Sequence, residues 1–160
     1  MKLLVVGGGG REHAICWKLL QSNQVDEVIC APGNGGIQSI AKCFNVNAMD
    51  IDGMVNLAKK ENVDLVFVAP DDPLSAGMVD VMEQNGIKAF GPNKKAAQIE
   101  SSKSFSKDLM KKYDIPTAAY EVFCDAQKAK EYINKTGAPI VIKADGLALG
   151  KGVYVCMTTD

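Results

Sequence analysis

The sequence predicts an α/β fold, a parallel sheet with helices on both faces, followed by a smaller segment of different character. Short apolar runs alternate with stretches of helical spacing from residue 1 to about 92, and that alternation calls for right-handed crossovers and a parallel sheet. Leu3–Val6 and Leu65–Val68 are apolar at every position, as a strand covered on both faces must be. The first two strand-like runs end in glycine-rich turns, and Leu65–Val68 ends in Pro70-Asp71-Asp72-Pro73.

Taken in order, Leu3–Val6 is the first strand. Arg11–Ser22 follows as a helix, with Ile15/Leu19 and Cys16/Leu20 at helical spacing. Val28–Ala31 is the second strand, stopped by Pro32-Gly33, and a weak third is expected near Phe44–Asn47. A helix capped by Asp52 runs through Met54, Leu57 and Ala58 to Lys60. Leu65–Val68 is the fourth strand, Leu74–Asn85 a helix closed by Gly86, and Lys88–Phe90 a short fifth strand. After Gly91-Pro92 the pattern predicts helices over Lys94–Glu100 and Ser102–Tyr113, a break at Asp114–Thr117, and a strand at Ala119–Phe123. A helix over Asp125–Thr136 then precedes an antiparallel hairpin, Ile140–Lys143 and Val153–Met157, joined by a glycine loop. So small a unit cannot bury both its faces, which predicts that the second domain is cut short.

Composition narrows the function. Eighteen basic and nineteen acidic side chains leave a net charge of −1 in 160 residues, with no electrostatic footprint for nucleic acid and no polybasic membrane anchor. No apolar run approaches the roughly 20 residues of a membrane span, and Met1–Val6 breaks into glycines too soon for a secretory leader. A cytoplasmic protein is expected. The five cysteines form no C-x-x-C pair. Cys16, Cys30 and Cys156 read as small buried hydrophobes.

The candidate sites are loops that follow strands. Gly7-Gly8-Gly9-Gly10-Arg11 opens the first helix, where close backbone approach and unpaired N–H groups suit a phosphate. The dinucleotide fingerprint is broken, because Glu12 or His13 stands where its last glycine belongs and no acidic residue closes the second strand. That favours a smaller phosphorylated ligand. Arg11 can pair a phosphate through its fork of donors or lie solvated in the first turn, Glu12 suits the helix start, and a lone His13 reads as structural. Pro32-Gly33-Asn34 and Pro70-Asp71 also follow strands, so they face the same crevice. Asp71 can take an amine or ribose hydroxyls there, against the plainer reading of an Asp-Pro turn with Asp72 as helix cap. In Lys143-Ala144-Asp145-Gly146-Leu147-Ala148-Leu149-Gly150-Lys151-Gly152 the spacing misses the common phosphate-loop pattern by one residue. A glycine loop between strands can close over a triphosphate, with Lys143 and Lys151 neutralising charge. Lys103, just inside its helix, is a further phosphate-ligand candidate.

Six stretches together resemble the phosphoribosylamine–glycine ligase family of ATP-grasp enzymes. They are Gly8-Gly9-Gly10-Arg11-Glu12-His13-Ala14, Ala31-Pro32-Gly33-Asn34, Phe90-Gly91-Pro92, Ser101-Ser102-Lys103, Ile115-Pro116-Thr117-Ala118 and Lys143–Val153. The resemblance implies a Rossmann-like domain over residues 1–100 and the truncated start of an ATP-grasp α+β domain over 101–160. It implies an ATP-dependent ligase of purine synthesis that activates glycine as an acyl phosphate and joins it to 5-phosphoribosylamine. ADP, phosphate and glycinamide ribonucleotide are the products. By this likeness Lys103, Lys143, Gly146, Gly150, Lys151 and Gly152 bind ATP. Gly8, Gly9, Gly10, Arg11, Pro32, Gly33, Asn34 and Asp71 bind phosphoribosylamine. The Mg2+ or Mn2+ ligands are expected beyond residue 160, and the full-length protein is expected to be a monomer. No Ser/His/Asp or Cys/His constellation is visible, which suits phosphoryl transfer, since it asks for charge neutralisation and water exclusion.

The chain departs from the family where Ala69-Pro70-Asp71 replaces a usual Gly-Pro-Glu and Leu149 a usual alanine. It reads as an amino-terminal piece, inactive alone. The alternatives are the same part of another ATP-grasp carboxylase or ligase, and a non-catalytic nucleotide- or phosphate-binding module.

Overall fold

A computed structural model describes residues 1–148 and 151–159, in two compact units, Met1–Ala97 and Gln98–Asp160. In the first unit β1 (Lys2–Gly7) leads through α1 (Gly10–Leu19) to β2 (Glu27–Pro32) and, by a 3-10 turn at Ile37–Ser39, to β3 (Lys42–Cys43). The helix α2 (Ile51–Lys60) carries the chain back to β4 (Leu65–Val68) on the far side of β1, and β5 (Ala89–Phe90) follows. The order is β3-β2-β1-β4-β5, parallel throughout. The direction of strand addition therefore reverses between β1 and β4, the place where open α/β sheets hold ligands.

The apolar runs are explained by two cores. Leu4 and Val6 of β1 pack with Ile29, Ala31, Val66 and Val68 under Met54, Leu57 and Ala58 of α2 and nearby methionines. Val5, Val28 and Cys30 point to the opposite face, against Cys16 of α1 and Ile37. Alternate residues of each central strand thus serve different cores, and full burial of each Val, Leu or Ile stabilises by about 1.5–3 kcal/mol.

Three local expectations give way. Asp50, not Asp52, caps α2, accepting the Gly53 N–H at 2.9 Å. The third strand lies two residues earlier than expected, because its ladder with β2 ends where the Phe44 N–H reaches the Cys30 carbonyl at 2.9 Å. The single helix expected over Leu74–Asn85 is two, α3 (Asp71–Ala76) and α4 (Met78–Gln84). Gly77 stands between them at φ +99°. Its N–H closes α3 on Pro73 and Leu74, and its carbonyl opens α4 by accepting from Val81. Only glycine takes that backbone conformation at no steric cost.

The second unit holds α5 (Gln98–Ser101), α6 (Lys103–Lys112), α7 (Ala126–Thr136) and the antiparallel pair β6 (Ile140–Lys143) and β7 (Val153–Cys156), with Lys143 opposite Val153. Ser102 caps α6 and Asp125 caps α7, each accepting the N–H three residues on, at 3.2 and 3.0 Å. The helix expected over Lys94–Glu100 shrinks to the short α5. Ala119–Phe123 joins neither sheet, since an apolar run becomes a strand only beside a partner. Among the described residues of this unit none is buried. No helix among the described residues is long and apolar enough to cross a membrane.

Candidate functional site

The carboxyl ends of β2, β1 and β4 lie side by side, so Pro32–Gly36, Gly7–Gly10 and Pro70–Asp71 form one edge of the first unit. The first two turns are bonded to each other. The Gly33 N–H donates to the Gly7 carbonyl at 3.0 Å, and the Asn34 side-chain amide donates to the Gly8 carbonyl at 2.8 Å. Asn34 Oδ1 accepts the Ile37 N–H at 2.9 Å. The Asn34 side chain is thereby engaged at both ends. At Gly8 a Cβ would stand 2.5 Å from the Gly33 carbonyl oxygen, so the glycine is required by the approach of the second turn.

Glu12 is only 4% exposed. Its Oε2 accepts the Gly9 N–H at 2.6 Å and its Oε1 lies 3.3 Å from Arg11 Nε. Arg11 also faces Asp71, with Nη1 3.7 Å from Oδ1. The guanidinium therefore spans the ends of β1 and β4 between two carboxylates, while its side chain stays 59% exposed and its other N–H groups remain open to a ligand. Sequence reasoning gave Glu12 a purely electrostatic part at the helix start. The structure adds that its carboxylate takes one loop amide and steadies Arg11. Asp71 is the first residue of α3 and Pro70 occupies the cap position, so Asp72 is not the cap. His13 lies against Gly36, where a Cβ would meet its ring at 2.8 Å.

In the second unit Lys143 ends β6 and Gly152 precedes β7. The Ala144 N–H donates to the Gly152 carbonyl and the Lys151 N–H to the Ala148 carbonyl, both at 2.8 Å. Gly150 and Leu149 lie outside the described residues. Lys103 Nζ donates to the Gly146 carbonyl at 2.7 Å, which brings three of the expected nucleotide residues, Lys103, Lys143 and Gly146, to one end of the hairpin. Asp145, which sequence reasoning passed over, holds this junction. Its carboxylate accepts from the Ser104 hydroxyl (2.5 Å), the Lys103 N–H (2.6 Å) and the Gly146 N–H (3.0 Å). The Ser104 hydroxyl, with the backbone N–H groups beside it, holds the carboxyl below its usual range, at about 2. The signal available in the sequence was an acidic residue at the root of a lysine- and glycine-rich loop.

The cysteines are partly as expected. Cys16 and Cys30 are buried, but Cys156 is half-buried. The Cys30 thiol donates to the Gly7 carbonyl at 3.3 Å and is pushed far up, first by its hydrogen bond with Cys16 and then by burial. A buried thiol so placed is inert.

The family model described as phosphoribosylglycinamide synthetase, N domain, matches residues 1–100, and that described as phosphoribosylglycinamide synthetase, ATP-grasp (A) domain, matches residues 101–160. A phosphoribosylamine–glycine ligase of Halalkalibacterium halodurans is 51% identical over 160 residues, covering 100% of this chain and 37% of that protein. The crystal structure of phosphoribosylamine–glycine ligase from Thermotoga maritima aligns with a TM-score of 0.75 at 30% identity, over 99% of this chain and 37% of that one. A biotin carboxylase–β,γ-ATP complex from Campylobacter jejuni aligns with a TM-score of 0.77 at 18% identity, over 99% and 38%, a likeness of fold. The chain spans a little over a third of the length of these relatives.

Proposed function

The chain belongs to the phosphoribosylglycinamide synthetase family, and from that premise we propose that it is the part of an ATP-dependent carbon–nitrogen ligase that receives 5-phosphoribosylamine and the phosphates of ATP. The reaction joins glycine to phosphoribosylamine. The γ-phosphoryl group passes to the glycine carboxylate, and the amine then displaces phosphate from the acyl carbon. The observation that carries the reading is the Arg11 guanidinium held between Glu12 and Asp71 beside a glycine turn. The first-turn amides of a helix have no intrahelical acceptor, and with Arg11 they suit a sugar phosphate.

Gly8, Gly9, Gly10 and Arg11 take the phosphate, Pro32 and Gly33 line it, Asn34 fixes the turn, and Asp71 takes the amine or a ribose hydroxyl. Lys103, Lys143, Lys151 and the loop glycines Gly146 and Gly152, with Gly150, take the ATP phosphates. The three ammonium groups and the backbone N–H groups fit that role chemically. No cluster of three acidic, histidine or cysteine residues able to hold a metal occurs among the described residues, so no step is assigned to a divalent cation. Residence in the cytoplasm, a monomeric state, and the division into a substrate domain at 1–100 and an ATP-grasp domain from 101 are parts of the same proposal.

Calorimetric titration with ribose 5-phosphate tests it. The expected result is saturable binding that Arg11→Met weakens about tenfold, as removal of a charge-assisted phosphate contact should, with no binding of NAD. Equal binding by the variant, or a preference for the dinucleotide, would overturn the assignment.

A further inference from the structure

Asp145 stands apart from the other polar side chains of the second unit. It accepts from residues 41 to 43 positions away as well as from its neighbour. Oδ1 takes the N–H groups of Lys103 (2.6 Å), Gly146 (3.0 Å) and Ser104 (3.3 Å). Oδ2 takes the hydroxyls of Ser104 (2.5 Å) and Ser102 (3.2 Å). An ionised carboxylate offers about four lone-pair sites, and these five donors saturate it. An aspartate in a nucleotide site invites the role of metal ligand, and this one has no lone pair to spare for a cation.

The donors converge from two places. Ser102, Lys103 and Ser104 are the cap and first turn of α6, whereas Gly146 is in the glycine loop. The same junction carries the bond from Lys103 Nζ to the Gly146 carbonyl. A lysine ammonium on a four-carbon stem has little inherent direction. Here its backbone N–H is fixed by Asp145, and the carbonyl that receives its ammonium belongs to the residue whose N–H Asp145 also holds. The low value of the carboxyl, led by the Ser104 hydroxyl, agrees with an acceptor that stays ionised.

We propose that Asp145 is a positioning residue for nucleotide binding: by bonding Ser104, the Lys103 N–H and the Gly146 N–H at once, it locks the root of the glycine loop to the start of α6 and sets where the Lys103 ammonium stands. The inference rests on the reading of Lys103 and the loop as ATP-phosphate ligands. It assigns Asp145 no contact with nucleotide or metal.

The test is ATP titration of the full-length protein that carries this chain, with the backbone amides of Lys103 and Gly146 followed by NMR hydrogen exchange. Asp145→Asn keeps the shape and removes the charge. It is expected to weaken ATP about tenfold, the effect of losing charged hydrogen bonds, and to speed exchange at both amides together. Ser104→Ala is expected to weaken ATP about threefold, and Ser104→Thr, which keeps the hydroxyl, to restore it. The double variant Asp145→Asn/Ser104→Ala should be no weaker than Asp145→Asn alone, since the Ser104 hydroxyl acts through this carboxylate. Unchanged affinity in Asp145→Asn, unchanged exchange at Lys103 and Gly146, or additive losses would each overturn the positioning role. If Asp145→Asn does not fold, the Ser104 pair decides alone: a loss with alanine that threonine recovers supports the role, and no such recovery overturns it. A wild-type chain that takes up no ATP would overturn the nucleotide reading, and the positioning role with it.

Discussion

In Met1–Ala97 the central strands are covered twice, Leu4 and Val6 by one layer of helices and Val5 by the other. In Gln98–Asp160 the hairpin strands carry apolar residues just as dense, yet Val141, Ile142, Val153 and Tyr154 are exposed and Val155 is 68% exposed. The second unit is ordered instead by polar groups: the caps Ser102 and Asp125, the Asp145 junction, and Lys107, which donates to Thr117 and Ala118 at 2.6 and 3.0 Å. Tyr120 adds a hydrogen bond to Asp108 at 2.6 Å that pushes its phenol up to about 12. Similar hydrophobicity in sequence therefore has different weight in the two units. Burial holds one together, and hydrogen bonding shapes the other.

The sharpest way to break that contrast is a pair of truncations. Ile29→Ala should cost about 2–5 kcal/mol, as deletion of a fully buried aliphatic group does, whereas Val155→Ala should stay within about 0.5 kcal/mol. Urea unfolding followed by Trp17, the single tryptophan and a residue of α1, reads the first, and circular dichroism the second. Comparable losses would erase the distinction. Gly8→Ala comes next. Its methyl group meets the Gly33 carbonyl, so a cost of about 1–3 kcal/mol is expected, accompanied by loss of ribose 5-phosphate binding. A change confined to stability would show that this turn serves the fold and not the ligand. Ser102→Ala removes a helix cap and one donor to Asp145, and should cost about 1 kcal/mol, visible as fraying of α6 by hydrogen exchange while Met1–Ala97 is untouched.

The smallest effect is a pH dependence in the first unit. Lys2 Nζ lies 2.9 Å from Glu61 Oε2 and 3.2 Å from Glu27 Oε2. Its bond to Glu61 holds Lys2 above 10.5 and Glu61 below 4.5. The carboxylate's contribution is complete above 4.5 and fades as pH falls through its lowered value. The ammonium's is complete below 10.5 and fades as pH rises through its raised value. Glu61→Gln should remove the acid limb attributable to this pair from the plot of unfolding midpoint against pH. An unchanged acid limb would show that the pair is solvated ornament.

What was legible in the sequence follows the same division. β1 and β4 were readable because burial on both faces leaves an unbroken apolar run, and α7 because Asp125 announces its start. The spacing predicts one helix over Leu74–Asn85 where the structure has two, since the apolar positions around Gly77 keep helical spacing while the break lies in the backbone. At the site, Gly8, Arg11 and Asp71 stood out because strand ends mark them. The part played by Glu12 depends on which atoms its carboxylate reaches, and that of Asp145 on serines more than forty positions away. The Gly9–Glu12 bond has the three-residue spacing of a capping box, whereas the serine partners of Asp145 are not encoded in local spacing.

The bonds that join Gly33 to Gly7 and Asn34 to Gly8 bear on how this surface can be re-engineered. A chimera with its crossover between residues 10 and 33 would pair a turn from one parent with a foreign mate, so main-chain geometry would be mismatched before any side chain was compared. Libraries that vary this surface should exchange both turns as a single cassette.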